Sequence, residues 1–131
     1  MIIPYMPELS LLGVADPNIP NKERIVIKTQ ENISLSDYGI IVGYKNDQDI
    51  VIPLREHYFW FGNIEIEASS WLVVYSGPGQ FQRTRLSETL ELAYTLHWGK
   101  QYTVFSDPNL VPIIIKMSNI LIGESVKSIT R

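Results

Sequence analysis

Short apolar runs alternate with clusters of turn residues along this chain, and no segment sustains a helical period over several turns. In "NIEIEASS" (63–70), Ile64 and Ile66 alternate with Glu65 and Glu67. A strand there wets one face and buries the other. "ERIVIKT" (23–29) reads as a strand, and "ISLSDYGIIVGYK" (33–45) begins with alternating Ile33 and Leu35 before running through Ile40 to Tyr44. "NDQD" (46–49) is turn chemistry, because Asn and Asp side chains bond the nearby backbone and tolerate left-handed angles. It joins the preceding run to "IVIPL" (50–54) as a hairpin. "HYFWF" (57–61) stops at Gly62, and "WLVVYS" (71–76) stops at Gly77-Pro78-Gly79. "AYTLHW" (93–98), "QYTVF" (101–105), "VPIIIKM" (111–117) and "NILIG" (119–123) complete the strand-like runs. Only "RLSETLELAY" (85–94) has room for a helical turn.

Short strands at this spacing predict an all-β fold of about 8–9 strands, a sandwich or a barrel. Residues 1–21 carry Pro4, Pro7, Pro17 and Pro20 around "LSLLGVA". They predict an extended N-terminal arm holding at most one short strand, since proline removes ladder donors and fixes φ. The sandwich domain is expected over 22–123, with a C-terminal tail at 124–131.

Composition supports that reading. At 131 residues and 15.0 kDa the chain suits one domain, large enough for a core without disulfide or metal staples. The hydrophobic fraction is 45% and the aromatic fraction 11%, with abundant Val and Ile; such side chains suit a pleated, half-buried surface. Net charge is −3, and 11 basic residues are scattered among 14 acidic ones without a run of either sign. Nucleic acid is disfavoured, because binding its backbone needs clustered cations. With no cysteine, disulfides, thiol catalysis and cysteine-ligated zinc are excluded. The opening "MIIPYMPELSLLGVADP" lacks a basic start, a long apolar core and a small-residue cleavage site. No apolar run approaches the roughly 20 residues needed to cross a bilayer. A soluble, cytoplasmic protein without membrane contact is expected.

Few constellations carry chemistry. Gly77-Pro78-Gly79 follows a strand, but Gln82 stands where a dinucleotide fingerprint needs glycine. Pro78 also removes an amide from any phosphate cradle, so the loop is expected to turn the chain. His57 and His97 lie in aromatic strands, where a packed imidazole is the plainer reading; a base or small hydrolytic site would need His97 to meet Asp107 and the arginine pair in space. Asp47 and Asp49 lack the glycine and glutamate of a calcium loop. Arg83 and Arg85, two apart, could grip an anion together or form a solvated face. No catalytic residue, metal site or cofactor is expected. In "HYFWF", Tyr58 and Trp60 face one way and Phe59 and Phe61 the other. One face belongs to the core; the other needs cover from a loop, from the arm or from a partner.

The order of these features resembles the lamin tail domain family in its bacterial form, over roughly Asn21 to Met117. "NKERIVIKTQENISLSDYGI" is similar to the family's opening strand and following "hLsgWth" segment (h, apolar). "FWFGNIEIEASSWLVVYSGPG" resembles its "F-x-Leu-x-x-Gly" segment, the next strand and a "hysGpG" turn. "LHWGKQYTVFSD" resembles its "hhWG…hWn" strands. The resemblance assigns framework positions to Glu23, Ile25, Ile27, Leu35, Phe61, Ile66, Trp71, Val73, Tyr75, Gly77, Gly79, Trp98, Gly99 and Phe105. Residues 80–95 stand as an insertion, and Tyr38-Gly39 replaces the family's Gly-Trp. The resemblance implies an immunoglobulin-like β-sandwich, a fold often used as a binding module, and transfers no catalytic residue. The expected function is a non-catalytic protein-interaction or scaffolding domain, with Tyr58, Trp60, Arg83 and Arg85 as candidate contacts. The alternatives are self-association, giving a homo-oligomer, then a hydrolase or nuclease accessory or a nucleic-acid-binding module.

Overall fold

The computed structural model describes residues 4–123, and the chain is all-β with ten strands and one short 3-10 turn. The strands are β1 (Leu9–Ala15), β2 (Arg24–Thr29), β3 (Ile33–Ser34), β4 (Tyr38–Lys45), β5 (Val51–Trp60), β6 (Glu65–Ile66), β7 (Trp71–Tyr75), β8 (Gln82–Arg85), β9 (Leu92–His97) and β10 (Leu110–Lys116). The 3-10 turn is Leu35–Asp37, and no α-helix occurs among the described residues. Five strands form one sheet in the order β1-β2-β7-β9-β8, and three form another in the order β10-β4-β5. A two-residue ladder pairs β3 with β6. Every pairing is antiparallel except β7 with β9, and β8 folds back on β9 from the outer side.

Period-2 alternation decides what each sheet buries. On β2 the side chains of Ile25, Ile27 and Thr29 are buried while Arg24, Val26 and Lys28 are half-buried on the other face. Leu72 and Val74 of β7 and Tyr94 and Leu96 of β9 continue the buried row, and they share one core with Ile40 and Val42 of β4. Each such side chain contributes roughly 1.5–3 kcal/mol. A surface ion pair such as Arg24–Asp16 (2.8 Å) contributes about 0–1 kcal/mol. Core packing therefore holds the layers together.

Beside this apolar core sits one buried carboxylate. Glu23 is 1% exposed, and its oxygens accept the backbone N–H groups of Asn18 (2.7 Å), Val104 (2.6 Å) and Phe105 (3.0 Å). It thereby ties the loop before β2 to the segment after β9. An ionised carboxylate survives burial when several donors replace its water.

The structure matches most of the expected elements and corrects two. "NDQD" is the β4–β5 hairpin: the Asn46 side chain accepts from the amides of Gln48 (2.9 Å) and Ile50 (3.0 Å), and Asp49 is left-handed at φ 59°. "LSLLGVA" in the arm is β1, an edge strand of the large sheet. "IVIPL" and "HYFWF" are two halves of β5. Between the pairs Gly43↔Pro53 and Ile41↔Tyr58, four residues of β5 stand opposite Val42 alone. Pro53 and Pro112 both fall on edge strands, where a missing donor costs no ladder bond.

"QYTVF" is not a strand. Val104 and Phe105 are buried, but Glu23 satisfies their amides in place of a neighbouring strand. "NILIG" is not a strand either: Ile120, Leu121 and Ile122 are exposed, with no ladder to join. "RLSETLELAY" holds the single turn it had room for, closed by Leu90 N–H to Leu86 O (2.9 Å). The expected tail, 124–131, lies outside the described residues.

Candidate binding surfaces

Alternation along β5 sorts its aromatic residues as the sequence requires. Phe61 is buried at 3%, and Phe59 packs against it edge-on at 6.0 Å and against Trp98 at 5.8 Å. Tyr58 and Trp60 point the other way and keep 41% and 45% of their surface exposed. Gly39 and Gly43 of β4 make the close packing possible: a Cβ at Gly39 would stand 2.9 Å from the Tyr58 ring, and one at Gly43 2.5 Å from Val51.

The two exposed rings front a hollow of about 370 Å³, with Ser36, Asp37, Met117 and Ile120 around it. Their polar atoms are already engaged. Trp60 Nε1–H donates to Ser36 O (2.8 Å), and the Tyr58 hydroxyl donates to Met117 Sδ (3.4 Å). Both rings are thus held in place, and what they offer outward is apolar area.

Beside this hollow stands a polar cluster at the meeting of the two sheets. The Tyr38 hydroxyl donates to Glu8 Oε2 (2.5 Å), which also accepts from Lys116 Nζ (3.2 Å). Burial, then the bond to Glu8, pushes the Tyr38 phenol up to about 12. The same bond, foremost, holds Glu8 below the usual carboxylate range.

Arg83 and Arg85 lie elsewhere, on the edge strand β8 of the large sheet. Both are exposed, and each makes one hydrogen bond within the chain. Arg83 donates from Nε to the Tyr94 hydroxyl (3.2 Å), and Arg85 donates to Leu90 O (2.7 Å). The pairs Tyr58/Trp60 and Arg83/Arg85 therefore belong to different sheets, and each arginine is engaged within the chain.

The histidines are not set up as a base with an acid. Nδ1 of His57 and Nδ1 of His97 are buried without a hydrogen-bond partner. Asp107 turns its carboxylate to the amide of Asn109 (2.8 Å). Among the described residues no three His, Asp or Glu side chains gather to hold a metal, and no helix is long and apolar enough to cross a membrane.

Gly77-Pro78-Gly79 turns the chain from β7 toward β8, as expected, but its glycines serve packing. Neither has a left-handed φ. A Cβ on Gly79 would lie 2.3–2.5 Å from three atoms of the His97 ring. That ring stacks on Tyr75 at 5.3 Å and 17°. Around the turn is a second hollow, of about 420 Å³, floored by Tyr75, Thr95 and His97 and rimmed by Asn21, Gln80 and Gln82. Sequence reasoning missed it, because its parts come from three separate stretches of chain.

Comparison with protein-family models, curated proteins and solved structures gave no match for this chain.

Proposed function

We propose that the protein is a non-catalytic binding domain, an immunoglobulin-like sandwich of the lamin-tail kind, that captures a protein partner with the Tyr58–Trp60 face. The observation that carries this reading is the pair of half-exposed rings fixed over an apolar hollow. Tyr and Trp give large contact area for little lost conformational freedom and dominate binding hot spots. Rings already held by Ser36 and Met117 lose less on binding than free ones. The partner would present an apolar side chain to the hollow.

Trp60→Asp and Tyr58→Asp test the reading, since both rings are half outside the core. Each variant should keep the wild-type melting temperature and lose the protein captured from native lysate by the parent domain. Capture that survives both substitutions rejects this face.

Self-association is the second reading, favoured by Ile120, Leu121 and Ile122, exposed at 69%, 102% and 86% next to the same hollow. Strand-edge pairing remains open to β1 and β10, seven-residue edges of the two sheets, and is resisted at the other two edges. β8 is four exposed residues with two arginines, and β5 is interrupted opposite Val42; short, charged or bulged edges resist pairing. A second copy would bind face to face or along β1 or β10, and a mass that stays monomeric in light scattering across a wide concentration range ends that reading.

A further inference from the structure

The hollow beside Gly77-Pro78-Gly79 differs in chemistry from the Tyr58–Trp60 face and lies on the other sheet. Its lining is polar yet uncharged: Asn21, Tyr75, Gln80, Gln82, Thr95 and His97, with no carboxylate, lysine or arginine. None of these six side chains hydrogen-bonds another described residue, and Nδ1 of His97 is buried as well as unpartnered. Three of them form a half-buried floor in mid-sheet, and of its polar atoms only Nδ1 of His97 is buried without a partner, which is costly.

The chemistry of a ligand follows from the chemistry of the lining. Hydroxyls and carboxamides each both donate and accept. Their match is a group that also does both, such as an alcohol. A phosphate, carboxylate or ammonium ion would lose its water here with no opposite charge in the lining. The cation beside the floor, Arg24 over the Tyr75 ring at 5.9 Å, is already paired with Asp16. A purely apolar ligand would strand every polar group in the floor. Among neutral polyols, a rigid ring loses less conformational freedom on binding than an open chain. The volume, about 420 Å³, falls in the range of small-molecule clefts, about 300–1,000 Å³.

We propose that this hollow binds a pyranose sugar unit, free or at the end of a glycan. The turn exists in its present form to hold the floor: Gly79 lets the His97 ring lie flat between the backbone and Tyr75. Asn21, left-handed at φ 63°, brings its carboxamide to the opposite rim.

The test is a titration followed by NMR of the side-chain amides of Asn21, Gln80 and Gln82 and the methyl of Thr95. The probes are glucose, galactose, mannose and N-acetylglucosamine with their short oligomers; glucose 6-phosphate, glucuronate and N-acetylglycinamide serve as charged and amide rivals. A neutral sugar should give saturable shifts confined to these signals. Gln82→Ala, on an exposed edge strand, should weaken that binding about tenfold. Thr95→Val, which keeps the shape of a sheet residue, should weaken it while the remaining spectrum stays put. Binding by oligomers but not monosaccharides places the natural source in a polymer and upholds the site. The proposal fails if no neutral sugar moves these signals at millimolar concentration. It also fails if a charged or amide probe binds more tightly, or if neither substitution weakens the sugar.

Discussion

The hollow beside Tyr58 and Trp60 and the hollow beside Tyr75 and His97 are similar in size, about 370 and 420 Å³, yet use their polar atoms in opposite ways. In the first, the indole N–H and the phenol hydroxyl are consumed inside the chain. In the second, six polar side chains bond to no other described residue. Internal bonding fixes a ring and leaves only its apolar surface to a visitor, which suits a broad protein contact. Unbonded groups keep direction and leave specificity to a small polar molecule. Two hollows of different chemistry thus lie on one molecule, one on each sheet.

The largest expected effect separates the two through Glu23. Removing its carboxylate in Glu23→Ala strands the buried amides of Val104 and Phe105, at about 1–3 kcal/mol each. Urea denaturation should show a loss of about 3 kcal/mol or more. Because Asn21 sits two residues before Glu23, the signals of the polar hollow should shift in the milder Glu23→Gln variant. The Trp60 indole should not. A shift of both alike would mean that the two surfaces are not mechanically separate.

Gly79→Ala acts on the polar hollow alone. The added methyl meets the His97 ring, and overpacking of this kind costs about 1–3 kcal/mol. In a His97→Ala background the cost should vanish, so a double-mutant cycle on thermal stability reads the contact directly. An equal cost in both backgrounds would place the strain elsewhere in the turn.

The smallest effect is alkaline and belongs to the other side. Folded Tyr38 keeps its proton up to about 12, against 10.0 for an ordinary phenol. Between those values the unfolded chain has lost the proton and the folded chain retains it, so stability falls as pH rises from about 10 toward about 12. Tyr38→Phe should abolish that fall in denaturation curves taken across the window. The Tyr58–Trp60 hollow includes Met117, whose amide bonds Asp37 O (2.7 Å) beside Tyr38. Trp60 fluorescence should therefore respond before the His97 side does.

Local pattern made much of the frame legible. The alternation of Tyr58 and Trp60 with Phe59 and Phe61, and the Asn-led hairpin at 46–49, depend on neighbours in sequence, so the chain announces them. What failed depends on distant residues. Val104 and Phe105 have the composition of a strand, but a carboxylate 81 and 82 positions earlier takes their amides. Ile120, Leu121 and Ile122 have strand propensity, which expresses fit to a neighbouring strand more than a preference of the backbone; here no neighbour exists. The Gly-Pro-Gly turn was readable as a turn. That Gly79 is required by His97, and that Asn21 and Thr95 complete a hollow around it, was not, because only the folded sheet brings those positions together.

The Glu23 clamp also sets a clock. The carboxylate is made 82 residues before the last amide it must receive. At roughly 5–20 residues per second of synthesis, it waits roughly 4–16 s without its partners. During that interval β2 through β9 are made one after another, and until it ends the carboxylate lacks the amides of Val104 and Phe105. The clamp itself closes only after the chain has passed residue 105.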